Sequence, residues 1–109
     1  MEVNLKIEGY PFVCVPLDEA TFNDTTAVYV IISLSQDGKT GNYLDVGQSE
    51  DVVSRVSEYT RNKCWLENDP NKNIWVCVHR MPSDQFSKDD RLRLEKYLRE
   101  AKRPSWDRL

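Results

Sequence analysis

Three side chains in this 109-residue sequence have types and spacings that suit phosphate chemistry. Arg55 and Tyr59 are four residues apart, which places both on one edge of a predicted helix. Glu95 lies at the margin of the apolar stripe of a second predicted helix, where a carboxylate could ligate a hard cation such as Mg²⁺. Both patterns also have a structural interpretation. Arg55 could stack on Tyr59 at the rim of the core, and Glu95 could pair with Arg91 one turn earlier.

Residues 45–49 (DVGQS) are predicted to form a turn from a strand into a helix. Gly47 would allow the chain to turn tightly, and the free N–H groups of the following helix could bind an anion. Ser49 is the candidate N-cap, and the acidic residues 50 and 51 lie where the helix dipole favours them. The alternative is a turn with no role beyond structure, because a single glycine at a strand end is common.

Cysteine, histidine and aromatic residues form less specific patterns. Cys77 and His79 alternate with Trp75 on one face of a predicted strand. A zinc site would need two further ligands, and Cys64 is one candidate. His79 could act as a general base, but the sequence pairs it with no nucleophile. The three tryptophans and five tyrosines could stack on nucleobases or pack in and around the core.

Length and composition indicate one globular domain. Hydrophobic residues make up 39% of the chain and charged residues 30%, which excludes disordered, collagen-like and low-complexity classes. The longest apolar run, residues 27–32, is too short to span a bilayer, and the N-terminus lacks the pattern of a signal peptide. The three scattered cysteines form no CxxC pair, which favours a reducing compartment. We therefore expect a cytoplasmic protein without a membrane partner.

The formal net charge of −3 does not favour nucleic-acid binding by the protein as a whole. The charges are unevenly distributed, however. Residues 1–60 hold 3 basic and 10 acidic side chains, whereas residues 88–109 hold 8 basic and 5 acidic ones. This leaves room for a local anion-binding face near the C-terminal end, although a solvated helix surface explains the same pattern.

Hydrophobic periodicity predicts an α+β architecture in the order strand, hairpin, helix, strand, helix. Residues 11–26 are predicted to be mostly irregular, with a short helical turn near 17–22. The other predicted elements are strands at 2–8, 27–34, 42–47 and 74–80 and helices at 50–62 and 86–102.

The order and spacing of these motifs resemble the GIY-YIG nuclease family. Residues 27–29 (Ala-Val-Tyr) resemble the family's Gly-Ile-Tyr motif, and residues 45–47 (Asp-Val-Gly) resemble its Tyr-Ile-Gly motif. Arg55 lies eight residues after the motif glycine, as the family arginine does, and Tyr59 follows four residues later.

The C-terminal part of the chain extends the resemblance to residues 27–107. Glu95 stands in a Leu-Glu-x-x-Leu context similar to that of the family glutamate. Asp107 stands after Arg-Pro near the position where those nucleases have an asparagine. The resemblance implies a GIY-YIG-like domain over residues 27–109, with a small three-stranded, mainly antiparallel sheet flanked by helices. Residues 1–26 are then an N-terminal extension made of a strand and a loop.

The resemblance also implies divalent-metal-dependent hydrolysis of a phosphodiester in DNA or RNA. Tyr29 would position water, Arg55 would hold the phosphate and Glu95 would bind Mg²⁺ or Mn²⁺. Asp45 would assist, and Tyr59 would complete the catalytic group. The expected phosphate contacts are Gly47, Gln48, Ser49, Arg55 and Asp107.

Several positions depart from the family pattern. Asp45 replaces the tyrosine that is the proposed general base, Gln48 replaces a frequent lysine, and Asp107 replaces the asparagine. These departures motivate a second hypothesis from a different class. The chain would then be a catalytically degenerate module that binds nucleic acid or a protein partner. In either case a partner or a homodimer would supply recognition surface that a chain of this size lacks.

Overall fold

The computed structural model describes residues 2–16, 26–35, 41–50 and 73–102. The predicted helical turn near 17–22 lies outside these ranges. So does the predicted helix over 50–62 from residue 51 onward, with Arg55 and Tyr59. Asp107 also lies outside them, so the predictions for these residues stay predictions.

The N-terminal residues form a β-hairpin. Strand β1 (Val3–Ile7) pairs antiparallel with β2 (Tyr10–Pro16). Glu8 and Gly9, the two residues between them, have φ angles of 51° and 84°. Positive φ at both loop residues matches the twist that a two-residue hairpin needs. The prediction of irregular structure from residue 11 is therefore wrong as far as Pro16. Prolines at both ends of the segment obscured its strand pattern.

Three further strands complete a sheet: β3 (Ala27–Leu34), β4 (Gly41–Ser49) and β5 (Ile74–Arg80). The strand order among the described residues is β1-β2-β5-β3-β4, and every neighbouring pair is antiparallel. The α+β class and the strands at 27–34 and 74–80 are confirmed. The sheet has five strands rather than the expected three, because β2 pairs with β5 and joins the N-terminal hairpin to the rest.

Strand β4 continues further than the sequence predicted. Gly47, Gln48 and Ser49 are paired with β3 rather than turning into a helix. The predicted turn at residues 45–49 is therefore wrong, and Ser49 is the last residue of a strand. Gly47, which suggested a turn, instead leaves space for the side chain of Tyr29 on β3.

Helix α1 (Lys88–Lys102) follows β5 and confirms the second predicted helix with a start two residues later. Ser87 caps it: the Asp90 N–H donates to Ser87 Oγ at 3.1 Å, and the Ser87 N–H donates to Asp90 Oδ2 at 2.9 Å. These hydrogen bonds from Ser87 hold the pKa of Asp90 below its ordinary value. Among the described residues, no helix has the length and apolarity needed to cross a bilayer.

The apolar stripe of α1 is rotated from the one that the sequence predicts, which comprises Leu94, Tyr97, Leu98 and Ala101. Leu94 and Leu98 are buried as expected, but Tyr97 is 47% exposed and residue 101 is exposed. The buried stripe instead includes Arg91, whose side chain is almost fully enclosed.

Both faces of the sheet are buried at β3, which explains why β3 is a continuous apolar run. One face packs against α1, and its buried side chains include Phe12, Cys14, Val28, Val30, Val46 and Cys77. The opposite face contains Tyr29, Ile31, Asp45, Val76 and Val78, which are also buried.

The C-terminal end of α1 is tied to the β1–β2 turn through Glu8. Lys102 Nζ lies 2.9 Å from Glu8 Oε1, and the Tyr97 hydroxyl donates to Glu8 Oε2 at 3.4 Å. The hydrogen bond from Lys102 holds the pKa of Glu8 below its ordinary value of 4.5. Folding therefore favours the ionised form of this carboxyl group.

We expect Glu8→Gln to lower stability slightly at pH 7 and to have a smaller effect at pH 3. A carboxyl whose pKa is depressed by folding stabilises the protein above its unfolded-state pKa. This contribution is lost as the pH falls through the folded-state value. Urea unfolding at the two pH values measures the difference, with the exposed Glu2→Gln as the matched control. An equal effect of Glu8→Gln at both pH values contradicts the proposed ion pair.

Candidate functional site

Helix α1 runs antiparallel to β4, the last strand in the described sheet order. Near the start of α1, Arg91 Nε donates to Gln48 Oε1 at 3.4 Å. Two turns later, Arg99 Nη1 donates to the Val46 carbonyl at 2.7 Å. Residue numbers therefore rise on α1 as they fall on β4. We call this line of contact the β4–α1 seam, which comprises Asp45, Val46, Gln48 and Glu50 with Arg91 and Arg99.

Arg91 connects the start of α1 to the end of β4 through its hydrogen bond to Gln48. Its Nη1 donates to the carbonyl oxygens of Met81 and Phe86, each at 3.4 Å. Its Nη2 lies 3.7 Å from Glu50 Oε1, but the Glu50 side chain is 73% exposed. The Glu50 pair therefore adds little, because water screens an exposed ion pair. Gln48, expected at a phosphate, is hydrogen-bonded to this buried arginine instead.

Asp45 is fully buried and pairs with a cation from α1. Arg99 Nη1 lies 3.4 Å from Asp45 Oδ1, and the Arg99 side chain is 24% exposed. The same nitrogen donates to the Val46 carbonyl, so the guanidinium bridges a side chain and the backbone of β4. Enclosed in this way, the carboxylate compensates a positive charge inside the protein and has no contact with bulk water.

Tyr29 and Gly47, from the two family-like motifs, face each other across the β3–β4 pair. A Cβ atom on residue 47 would overlap the Cζ and hydroxyl of the Tyr29 side chain. Glycine is required here for space, since its φ is not in the left-handed region. The Tyr29 hydroxyl is inaccessible to solvent. Tyr29 and Gly47 therefore meet inside the protein, away from solvent.

Glu95 is half-buried on the same stripe of α1 as Arg91 and Arg99, one helical turn from each. Those arginines contact β4 on either side of Gly47. Tyr29 and Gly47 are in contact across the β3–β4 pair. Glu95 lies on α1, which packs against the opposite face of the sheet from Tyr29.

The donor set around Glu95 determines which metal could fit. No group of three or more His, Cys, Asp or Glu side chains suited to a metal ion occurs in the part of the chain that the structure describes. Asp45 is held by Arg99. A single carboxylate can hold a cation such as Mg²⁺ only where water and phosphate supply the remaining ligands.

His79 and Cys77 point to the same face of β5 but have separate partners. The His79 Nδ1 is 2.8 Å from the Pro11 carbonyl, which fixes Nδ1–H as the donor. The rings of Tyr10 and Phe12 lie 5.6 and 5.5 Å from the His79 ring. Cys77 contacts Cys14 on β2 instead. Among the described residues, these contacts connect β2 with β5 and bring no further zinc ligand to Cys77 and His79.

Sequence reasoning named Arg91 only as a possible partner of Glu95 and missed Arg99, although both arginines contact β4. Their spacing from Glu95, four residues on each side, was a usable signal that the three share one face of a helix. The pairing of Arg99 with Asp45 had no local signal, because the residues are 54 positions apart.

Comparison of the chain with protein-family models, curated proteins and solved structures yields no match.

Proposed function

We propose that this chain is a GIY-YIG-like cytoplasmic domain that binds nucleic-acid phosphates without hydrolysing them. One observation carries the proposal. The residue that stands in the place of the family's general base, Asp45, is buried and paired with Arg99. A general base must reach the water whose proton it accepts, either directly or through one further water. The buried Asp45 carboxylate cannot reach such a water, but its position suits a structural ion pair with Arg99.

The outer face of α1 supports binding to nucleic acid. Arg93 and Lys96 are exposed and lie three residues apart, so they are neighbours on the helix surface. The exposed ring of Tyr97 lies next to Arg93, four residues away. Cations that follow a phosphate backbone, together with an aromatic ring on which a base can stack, are typical of surfaces that bind single strands. We therefore assign the contact to Arg93, Lys96 and Tyr97.

Binding to fluorescein-labelled single-stranded DNA and RNA, measured by anisotropy over a range of salt concentrations, tests this proposal. We expect affinity to fall steeply with salt, because binding releases counterions from the phosphates. Lys96→Glu should weaken binding to every sequence and reduce the slope of log affinity against log salt by about 1. The matched control is Lys6→Glu on β1, which makes the same charge change. Salt-independent binding, or equal effects of the two variants, contradicts the assignment.

A second candidate is a metal-dependent phosphodiesterase, and the contact between Tyr29 and Gly47, the residues of the two family-like motifs, favours it. In this scheme Glu95 would hold Mg²⁺ or Mn²⁺, which supplies Lewis-acid polarisation of the phosphate when bound. Arg55 would hold the phosphate and Tyr59 would complete the group, as the resemblance implies. Asp45 would act only by positioning Arg99 at the seam.

Nuclease assays separate the two candidates. Supercoiled plasmid, single-stranded DNA and RNA are incubated with the protein and Mg²⁺ or Mn²⁺, beside Glu95→Gln. The exposed Glu100→Gln on the same helix is the matched control. We expect no cleavage by the wild type. Cleavage that Glu95→Gln abolishes and Glu100→Gln retains would establish the phosphodiesterase instead.

A further inference from the structure

Cys14 and Cys77 are cross-strand neighbours in the interior of the sheet. They are directly paired in the β2–β5 register, and both are buried free thiols. Their side chains are in hydrogen-bond contact with each other. Neither candidate function uses them, so this dithiol is a reactive pair with no assigned role.

The strand register sets the distance between the two residues. Opposed residues in an antiparallel pair have Cα atoms about 4.5 or 5.5 Å apart, depending on whether they form the hydrogen-bonded kind of pair. A disulfide requires a Cα separation of about 4.4–6.8 Å. Both separations lie within that window. The two sulfur atoms can therefore be joined without moving either strand out of the sheet.

A groove on the α1 side of the sheet leads to the two sulfur atoms. Its volume is about 320 Å³, and it is lined by the two cysteines with Val3, Leu5, Ile32, Leu34 and Trp75. Val3 and Leu5 at its margin are about 40% exposed, so the groove opens to solvent on that side. A molecule the size of water occupies roughly 30 Å³, so a peroxide fits without rearrangement of the lining.

We propose that Cys14 and Cys77 form a reversible disulfide on exposure to a peroxide, with Cys14 as the attacking thiol. The two cysteines have different reactivities. The hydrogen bond from the Cys77 thiol lowers the pKa of Cys14, and the same contact together with burial raises the pKa of Cys77. Cys14 is also nearer the open side of the groove, because it pairs with the exposed Val3 on β1, whereas Cys77 lies one strand further into the sheet. Because the thiolate is the nucleophile, we expect Cys14 to react first.

The reaction has two steps. The Cys14 thiolate attacks one oxygen of hydrogen peroxide, so that an S–O bond forms, the O–O bond breaks, and the hydroxide released takes up a proton to become water. The Cys77 thiol then loses its proton and attacks Cys14 Sγ. The S–S bond forms, the S–O bond breaks and a second water leaves. Two thiols and one peroxide give one disulfide and two waters. A dithiol reductant reverses the change by thiol exchange.

Peptide mapping of the wild-type chain after treatment with hydrogen peroxide tests the proposal. We expect a peptide pair linked through residues 14 and 77, which dithiothreitol separates. Cys64→Ser is the matched control, since Cys64 is the remaining cysteine of the chain and lies outside the described residues. This variant should form the same link to the same extent.

Two further variants test the order of the steps. Cys77→Ser should accumulate a sulfenic acid at Cys14 that a 1,3-dione reagent traps, whereas Cys14→Ser should leave Cys77 reduced. A link that involves Cys64 overturns the proposal. So does oxidation of Cys14 to sulfinic acid in the wild type with no link to residue 77. Trapping at Cys77 rather than Cys14 overturns the assignment of the attacking thiol.

Discussion

Gly47→Ala is expected to lower the free energy of unfolding by about 3 kcal/mol, the upper part of the range for an overpacked core. The added methyl group would overlap the Cζ and hydroxyl of Tyr29. Tyr29 is fully buried, so its ring cannot move aside into solvent. The strands must therefore separate locally or the ring must leave its rotamer. Urea unfolding followed by circular dichroism measures the loss.

Two further variants test whether the loss of stability arises from the contact with Tyr29. Asn42→Ala, at an exposed position of the same strand, should be within about 0.5 kcal/mol of the wild type. In a Tyr29→Leu background, Gly47→Ala should cost much less than in the wild type, because the smaller side chain leaves room for the methyl group. If Gly47→Ala costs the same in both backgrounds, the loss has another origin.

Arg99→Met is expected to cost about 3 kcal/mol, because it deprives the buried Asp45 carboxylate of a cation. Methionine retains the aliphatic stem, so the loss reports the missing charge and its hydrogen bond to the Val46 carbonyl. The same unfolding experiment measures it. The exposed Arg93→Met on the same helix is the control for loss of an arginine from α1.

A double-mutant cycle isolates the contribution of the ion pair. In the Asp45→Asn background, Arg99→Met should be far less costly, since no buried charge remains to be compensated. Equal costs in the two backgrounds would show that Arg99 acts only through the backbone of β4. If Asp45 is structural, Asp45→Asn should leave the affinity for nucleic acid unchanged.

The elements that the sequence predicted well are those whose signals are local. Strands β3 and β5 are β-branched runs bounded by polar residues, and α1 begins at a capping serine. Strand β2 was missed because Pro11 and Pro16 resemble loop signals, although both lie at the ends of the strand. The number of strands could not be predicted, since it depends on the pairing of β2 with β5 some sixty residues later.

In the candidate site too, local patterns were predictive, whereas contacts between residues distant in the sequence were not. The pairing of residues 27–34 with residues 42–47 was predicted from their hairpin pattern, and it places Tyr29 opposite Gly47. The environment of Asp45 could not be predicted. Its partner, Arg99, lies on an element that reaches β4 only in the folded protein. The sequence also indicated that Gly47 matters, but for the wrong reason. It was expected to allow a turn, whereas it leaves space for the ring of Tyr29.

The central position of β5 has a consequence for how the sheet is assembled. Each flanking hairpin, β1–β2 and β3–β4, closes through neighbouring segments and can begin to form early. Neither hairpin pairs with the other, because β5 lies between them. During synthesis the ribosome must deliver residues 74–80 before the two halves can join. Until that point each half presents a bare strand edge on which a chaperone or another nascent chain can pair.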